Sequence, residues 1–362
     1  MTVNRVRIDR HVAASRPYVP DWLGMDRSAY LCLDRNESTR PVPDHVVRAL
    51  TDYVTNVGVQ WYPGDAELYP ALAEYCGVTP DHFLATNGSD QAIEIALRGF
   101  LRERDELLVA TPAFAMFPQV AGVLGAVVSG VPYREGSLEF PYREFRAAAA
   151  RRPRVIAFIN PNNPTGTPVD LAFIEEIARA YPDIPVIVDE AYYEFTGVTA
   201  VPLISECPNI IVFRTFSKAF AMAGLRVGYL VADPELIQEF GKIRGPFDVN
   251  APAIVAARAH LGSVGEVLLQ AKEMTDQVKP MVVDRLTELG APVVAGAANF
   301  CLVRPPDCRE AVTFLRESGI LVRVMSAGAL TGMFRVSMGT RQEMERFCAV
   351  YGAYHRGPGS AS

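Results

Sequence analysis

The chain has 362 residues, 49% of them hydrophobic and 21% charged, and carries a formal net charge of −6. That is the balance of an ordinary folded protein, long enough for two domains or one large domain with an appendage. It argues against a basic nucleic-acid binder, and no window of eighteen apolar residues offers a membrane span.

Cysteine usage narrows the class further. Cys32, Cys76, Cys207, Cys301, Cys308 and Cys348 are scattered without a C-x-x-C, and the five histidines are equally dispersed. No metal site is expected, and the thiols read as those of a reduced, cytoplasmic protein. The first ten residues lack the apolar core of a secretion signal.

In chain order, residues 1–40 form an irregular arm, broken by Pro17, Pro20 and Gly24, with a short strand at Tyr30–Leu33. Such an arm is stable only against the body of the protein or a second subunit. A helix follows from Asp44, read as its N-cap. Residues 61–65, Trp-Tyr-Pro-Gly-Asp, make a turn-rich aromatic loop, ordinarily a surface loop with a buried Trp. Phe83–Thr86 reads as a strand, Asn87-Gly88 breaks it, and Ser89-Asp90 cap a strongly periodic helix. Strands are then expected at Glu106–Ala110, Ala126–Val131, Val155–Asn160, Pro185–Asp189, Asn209–Phe213 and Val227–Ala232, most of them separated by helices. These are continuous Val/Ile/Leu runs, as in a parallel sheet covered on both faces. The reading is an α/β large domain over residues 41–262, a mostly parallel sheet between helices, with sites on the loops at strand C-terminal ends. Residues 263–362 read as a smaller α+β domain completed by the arm. There a long helix is expected over 251–289, with strands at Ala298–Val303, Leu321–Met325 and Met333–Met338 and a last helix over Gln342–Tyr354. The tail from Gly357 reads as disordered. No GxGxxG, Walker sequence or G-x-S-x-G elbow occurs.

The unusual chemistry falls on those loops. Residues 215–226, Thr-Phe-Ser-Lys-Ala-Phe-Ala-Met-Ala-Gly-Leu-Arg, place Lys218 between two apolar runs, with Thr215 and Ser217 beside it and Arg226 eight residues on. An amine next to an anion site of hydroxyls and a guanidinium resembles the Schiff-base lysine segment of fold-type I pyridoxal 5′-phosphate (PLP) enzymes. PLP makes definite demands. Its aldehyde takes an amine, Lys218, which then carries a proton. Its ring nitrogen needs a buried carboxylate, which Asp189 supplies at a strand end. Asn163, in the rigid Asn160–Gly166 turn, and Tyr192 can donate to its phenolate oxygen. Phe114 offers a ring to stack on. The phosphate would take Thr215, Ser217, Arg226 and the backbone of Gly88, Ser89 and Asp90 at a helix N-terminus. Each residue alone has an ordinary use as a cap, turn former or core side chain; together, on successive strand ends, they point to one site.

The stretches 161–166 (Pro-Asn-Asn-Pro-Thr-Gly), 189–192 (Asp-Glu-Ala-Tyr) and 217–226 resemble the class I/II aminotransferases of fold type I, and most of all their histidinol-phosphate aminotransferase branch. The resemblance runs from about Tyr18 to Thr340 and implies an aspartate-aminotransferase-like fold. It also implies transfer of an amino group from an amino acid or amino-alcohol phosphate to a 2-oxo acid, in two half-reactions. By it, Tyr62 reaches the cofactor phosphate of the neighbouring subunit in a homodimer, Arg335 holds the substrate α-carboxylate, and Arg323 and Tyr18 contact a side-chain phosphate, although Arg323 equally suits a carboxylate donor such as glutamate. Asp248 departs from the family, which often has asparagine there. An acid would repel a phosphate, so a neutral, aromatic or basic donor is expected if Asp248 faces the substrate. Threonine-phosphate decarboxylase-like, elimination or cyclisation chemistry on the same fold is the alternative. A non-catalytic PLP-binding regulator is disfavoured, because only a short arm precedes the catalytic pattern.

Overall fold

The computed structural model describes residues 6–18, 24–326 and 328–356; the tail expected to be disordered lies outside them. Thirteen strands are present among these residues. A short β1 (Leu31–Cys32) precedes seven strands of one sheet: β2 (Phe83–Thr86), β3 (Glu106–Thr111), β4 (Val127–Pro132), β5 (Val155–Ile159), β6 (Val186–Asp189), β7 (Ile210–Thr215) and β8 (Gly228–Val231). Their spatial order is β2-β8-β7-β6-β5-β3-β4. Every residue of β5, β6 and β7 is buried, as apolar strands between two helical layers must be, whereas the edge strand β4 is mostly open. Helices Gly88–Phe100 and Met116–Val123 pack with one side of the sheet, and Tyr142–Ala149, Leu171–Ala180 and Ala251–Leu261 with the other.

The smaller unit holds β9 (Val293–Val294), β10 (Phe300–Val303), β11 (Ile320–Leu321), β12 (Arg323–Val324) and β13 (Phe334–Ser337). Four of them form an antiparallel sheet, β12-β13-β10-β9, while β11 pairs in parallel with β1 of the arm. The arm is therefore part of this unit, and Leu33 sits in its core with Phe300, Val336 and Phe347. Core membership changes inside the helix Val264–Glu273: Val267 packs with the large sheet and Ala271 with the smaller unit.

The large sheet is mostly parallel, as expected: it is parallel from β4 to β7, and β8 runs antiparallel to β7 and to β2. Several other expectations are corrected. The helix expected over 251–289 is three segments. Its first ends at Leu261 ahead of Gly262-Ser263. A wide π-turn, Met274–Val278, then precedes Lys279–Glu288, because Pro280 has no N–H to offer the preceding turn. Pro43 occupies the N-cap and Asp44 opens its helix, so Asp44 acts on the helix dipole without capping it. Likewise Ser89 and Asp90 lie in the first turn of a helix that begins at Gly88. The strand expected over Leu321–Met325 splits, β11 and β12 serving different sheets.

Candidate active site

The loops that leave β2, β3, β5, β6 and β7 meet at one edge of the large sheet, facing the smaller unit. Asp189 ends β6 and is 2% exposed. Its described hydrogen bond is from the Ala191 N–H to Oδ1, at 3.1 Å. Burial, only partly offset by that bond, pushes its pKa up to about 7, and the charges of Asp90 and Glu190 add to the rise. A buried carboxylate in this state calls for a positively charged partner, which a protonated ring nitrogen would provide.

Lys218 lies three residues beyond β7, partly exposed to the cleft. Its Nζ donates to the Arg35 carbonyl at 3.0 Å. Burial of the amine, reinforced by Arg335 and Arg226, lowers its pKa to about 8 from an ordinary 10.5, against the pull of Glu37 and Asp90. At pH 7 this raises the neutral, nucleophilic fraction about 300-fold. A depressed lysine pKa contributes stability that is fully present above 10.5 and is lost as pH falls through about 8. Capture of an aldehyde cofactor by the empty protein is accordingly expected to quicken about tenfold per pH unit from 6.5 towards 8 and then level off. Stopped-flow absorbance measures this directly, and a flat profile over that range would contradict the lowered value.

An anion cradle stands beside the lysine. Gly88 has φ +74°, and a Cβ there would run into the Arg226 guanidinium, so only glycine lets that side chain lie across the helix start. Arg226 Nη2 donates to Asp90 Oδ2 at 3.0 Å and Nη1 to Ser217 Oγ at 3.4 Å. Thr215 Oγ1 donates to Ser217 Oγ at 2.9 Å. Ser217 Oγ thus receives two donors, leaving its own proton to point into the cradle. At Gly228 a Cβ would meet Ser89 N and the Arg214 carbonyl, each at 2.8 Å, so β8 presses directly against the helix start.

On the facing wall, Arg335 of β13 is 7% exposed. It donates from Nη1 to Asn163 Oδ1 at 2.5 Å and from Nη2 to the Asp34 carbonyl at 3.0 Å, over the Phe300 ring. Arg323 lies directly opposite it across the β12–β13 pair. Burial, then the charges of Arg323 and Arg35, lower the Arg335 pKa, which marks a crowded cationic wall. Tyr18 joins through its hydroxyl, which accepts from Arg35 Nη1 at 2.8 Å. Asn162, next to Asn163, donates to the Pro112 carbonyl at 3.0 Å and so ties the loop carrying Phe114, partly buried, to the Asn160–Gly166 turn. Buried Tyr192 accepts from Asn36 Nδ2 at 2.9 Å.

Two more of the expected residues, Asp248 and Tyr62, lie on loops. Asp248 closes its own loop: its carboxylate accepts from the Gly245 N–H at 2.8 Å and from Gln91 Nε2 at 2.6 Å. It braces the helix that begins at Gly88, and the expectation of an acid facing the substrate gains no support. Tyr62 is 80% exposed and stacks on Phe247 with centroids 4.3 Å apart, and Trp61, which an ordinary loop would bury, is 68% exposed. Sequence reasoning missed Arg35 and Asn36, whose work depends on partners far along the chain. Neither carries a local signal in the sequence; that Asn36 sits at φ 56°, a region asparagine tolerates more than most residues, is seen only in the structure.

Comparison with known proteins agrees with this geometry. The family model "Aminotransferase class I and II" matches residues 21–350. The chain belongs to the class I and II aminotransferases. This aminotransferase is 35% identical over 333 residues to histidinol-phosphate aminotransferase of Desulfitobacterium hafniense, covering 88% of this chain and 90% of that one. It is 30% identical over 347 residues to a dihydroxyacetone phosphate transaminase of Campylobacter jejuni, covering 91% and 93%. The fold superposes on histidinol-phosphate aminotransferase of Sinorhizobium meliloti, solved with pyridoxal-5′-phosphate, with a TM-score of 0.88 at 22% identity, covering 98% and 99%. The aminotransferase uses PLP, and the buried Asp189 and the cradle at Gly88 fit that cofactor. The relatives do not favour the decarboxylation, elimination or cyclisation alternative. Among the described residues no helix is long and apolar enough to cross a membrane, and no cluster of metal-ligating side chains occurs.

Proposed function

We propose that the amino donor of this aminotransferase is an amino-alcohol phosphate of the histidinol phosphate kind and its acceptor a 2-oxo dicarboxylic acid. The observation that carries the reading is the juxtaposition of Arg323 and Arg335 on neighbouring strands, with Arg35 and Tyr18 beside them. A phosphate dianion or a pair of carboxylates sets two negative charges against that wall. A donor with one carboxylate and a neutral side chain sets only one there. Both relatives described above are named for phosphorylated compounds.

Bound PLP supplies the aldehyde and an electron-withdrawing ring; this chain's residues do the rest. Asp189 would hold the ring nitrogen in its protonated form, Asn163 and Tyr192 would face the phenolate oxygen, and Phe114 would stack on the ring. Arg226, Ser217, Thr215 and the helix start at Gly88–Asp90 would hold the phosphate. Lys218 Nζ is the amine that would hold the aldehyde and move the proton at the donor's Cα. Arg335 and Arg323 hold the substrate anion so that this Cα faces Nζ.

The exposed aromatic pair Tyr62–Phe247 and the neighbouring Trp61 support a homodimer in which Tyr62 completes the partner's phosphate site. A protomer mass in sedimentation would remove that part. Six free cysteines accord with a cytoplasmic enzyme.

The reading is tested by adding single donors to the PLP-loaded enzyme. Histidinol phosphate is expected to bleach the cofactor's aldehyde-derived band far faster than phenylalanine or arginine. Arg323→Ala is expected to lower kcat/KM for histidinol phosphate about 10–100-fold, the scale of a charged hydrogen bond. Faster conversion of phenylalanine than of histidinol phosphate would sink the assignment.

A further inference from the structure

Asn36 has no part in the chemistry above, yet it is 1% exposed and bonded at every polar atom. Its N–H donates to Ser337 Oγ at 2.8 Å, and its carbonyl accepts from Asn299 Nδ2 at 3.1 Å. Its Oδ1 accepts from Ser337 Oγ at 3.1 Å, and its Nδ2 donates to Tyr192 Oη at 2.9 Å. These bonds hold a non-glycine residue at φ 56°, a backbone state that needs such support.

The directions of the bonds are those of the network as a whole. Ser337 Oγ accepts the Asn36 N–H and gives its own single proton to Oδ1. The amide is thereby oriented, oxygen to Ser337 and NH2 to Tyr192. Tyr192 Oη receives a proton from Asn36, and its own proton is left to point away from the arm.

We propose that Asn36 is a positioning residue that orients the Tyr192 hydroxyl so that Tyr192 donates to the phenolate oxygen of bound PLP. Ser337, Asn36 and Tyr192 then form a line of donors running in one direction, and each bond polarises the next. Ser337 stands two residues beyond Arg335 on β13, so the strand that meets the substrate anion also anchors this line. The inference rests on the place of Tyr192 at the phenolate oxygen and is independent of the donor's identity.

The test is the pH titration of the visible band of the PLP-loaded enzyme without substrate. Donation to the phenolate withdraws negative charge beside the nitrogen that joins Lys218 to the cofactor, and so lowers the titration midpoint. Asn36→Leu is expected to raise that midpoint by about 0.5 unit, the effect of weakening one hydrogen bond, and Tyr192→Phe by more. Because Asn36 acts through Tyr192, the double variant is expected to match Tyr192→Phe alone, a non-additivity that simple loosening of the arm would not produce. Ser337→Ala is expected to shift the midpoint the same way by less, and serves if the Asn36 variant does not fold. An unmoved midpoint in both Asn36→Leu and Ser337→Ala, or shifts that add in the double variant, overturns the proposal. An unmoved midpoint in Tyr192→Phe overturns the placement of Tyr192 itself.

Discussion

Lys218→Ala is expected to lower kcat by at least about 10²–10⁴, the contribution of a positioned general acid–base, with the covalent hold on the cofactor lost as well. Lys218→Arg is expected to do no better, since a guanidinium stays protonated and cannot attack an aldehyde. Reduction with borohydride followed by mass spectrometry should add the cofactor's mass less one oxygen atom to the wild type and nothing to either variant, since water leaves as the link forms and two hydrogens enter on reduction. The empty Lys218→Ala protein is expected to melt no lower than wild type at pH 7, because burial works against the ammonium it removes. A variant that keeps more than a tenth of wild-type kcat would disprove the role given to this lysine.

Asp189→Asn keeps the shape of the side chain and an acceptor for the Ala191 N–H, and removes only the charge. The loss in kcat is expected to be about 10²–10³, the scale of removing one preorganised electrostatic partner. Stability should move in opposite directions with and without cofactor. In the empty protein the Asp189 pKa is raised, so its contribution is fully present below 3.8 and is lost as pH rises through about 7. The empty Asn variant should therefore melt above wild type at pH 8. The PLP-loaded variant should melt below loaded wild type, because the charge that met the ring nitrogen is gone. Scanning calorimetry of both forms checks the pair of signs, and identical melting of the loaded forms would contradict the role.

The central strands were legible because the apolar runs Val155–Ile159, Val186–Val188 and Ile210–Phe213 are each followed at once by a polar residue, Asn160, Asp189 and Arg214. Lys218, Asp189 and Asn163 stand out for the same reason, as polar groups at strand ends. The direction of β2 and β8 was not legible, since an apolar run reads alike both ways. Nor was the break in the 251–289 helix, where Pro280 acts on the turn before it and not at its own position. The neighbours of Asp248 were not legible, because its partner Gln91 is 157 residues away and nothing in the loop 242–250 announces the pairing. Asn36 was silent for a similar reason: its meaning lies in Tyr192 and Ser337, 156 and 301 residues distant.

The pairing of β1 with β11 sets an order on the birth of the enzyme. Leu31 waits for Ile320, 289 residues later by their numbers (320 − 31), before its strand has a neighbour. A chain leaving the ribosome completes the whole large sheet while this early segment is still without a home. Only when β11 and β13 emerge does the arm settle, bringing the Arg35 carbonyl to Lys218 and the Asn36 amide to Tyr192. The cofactor pocket is thus the last thing the protein makes, and tight retention of PLP certifies that both ends of the polypeptide have found each other.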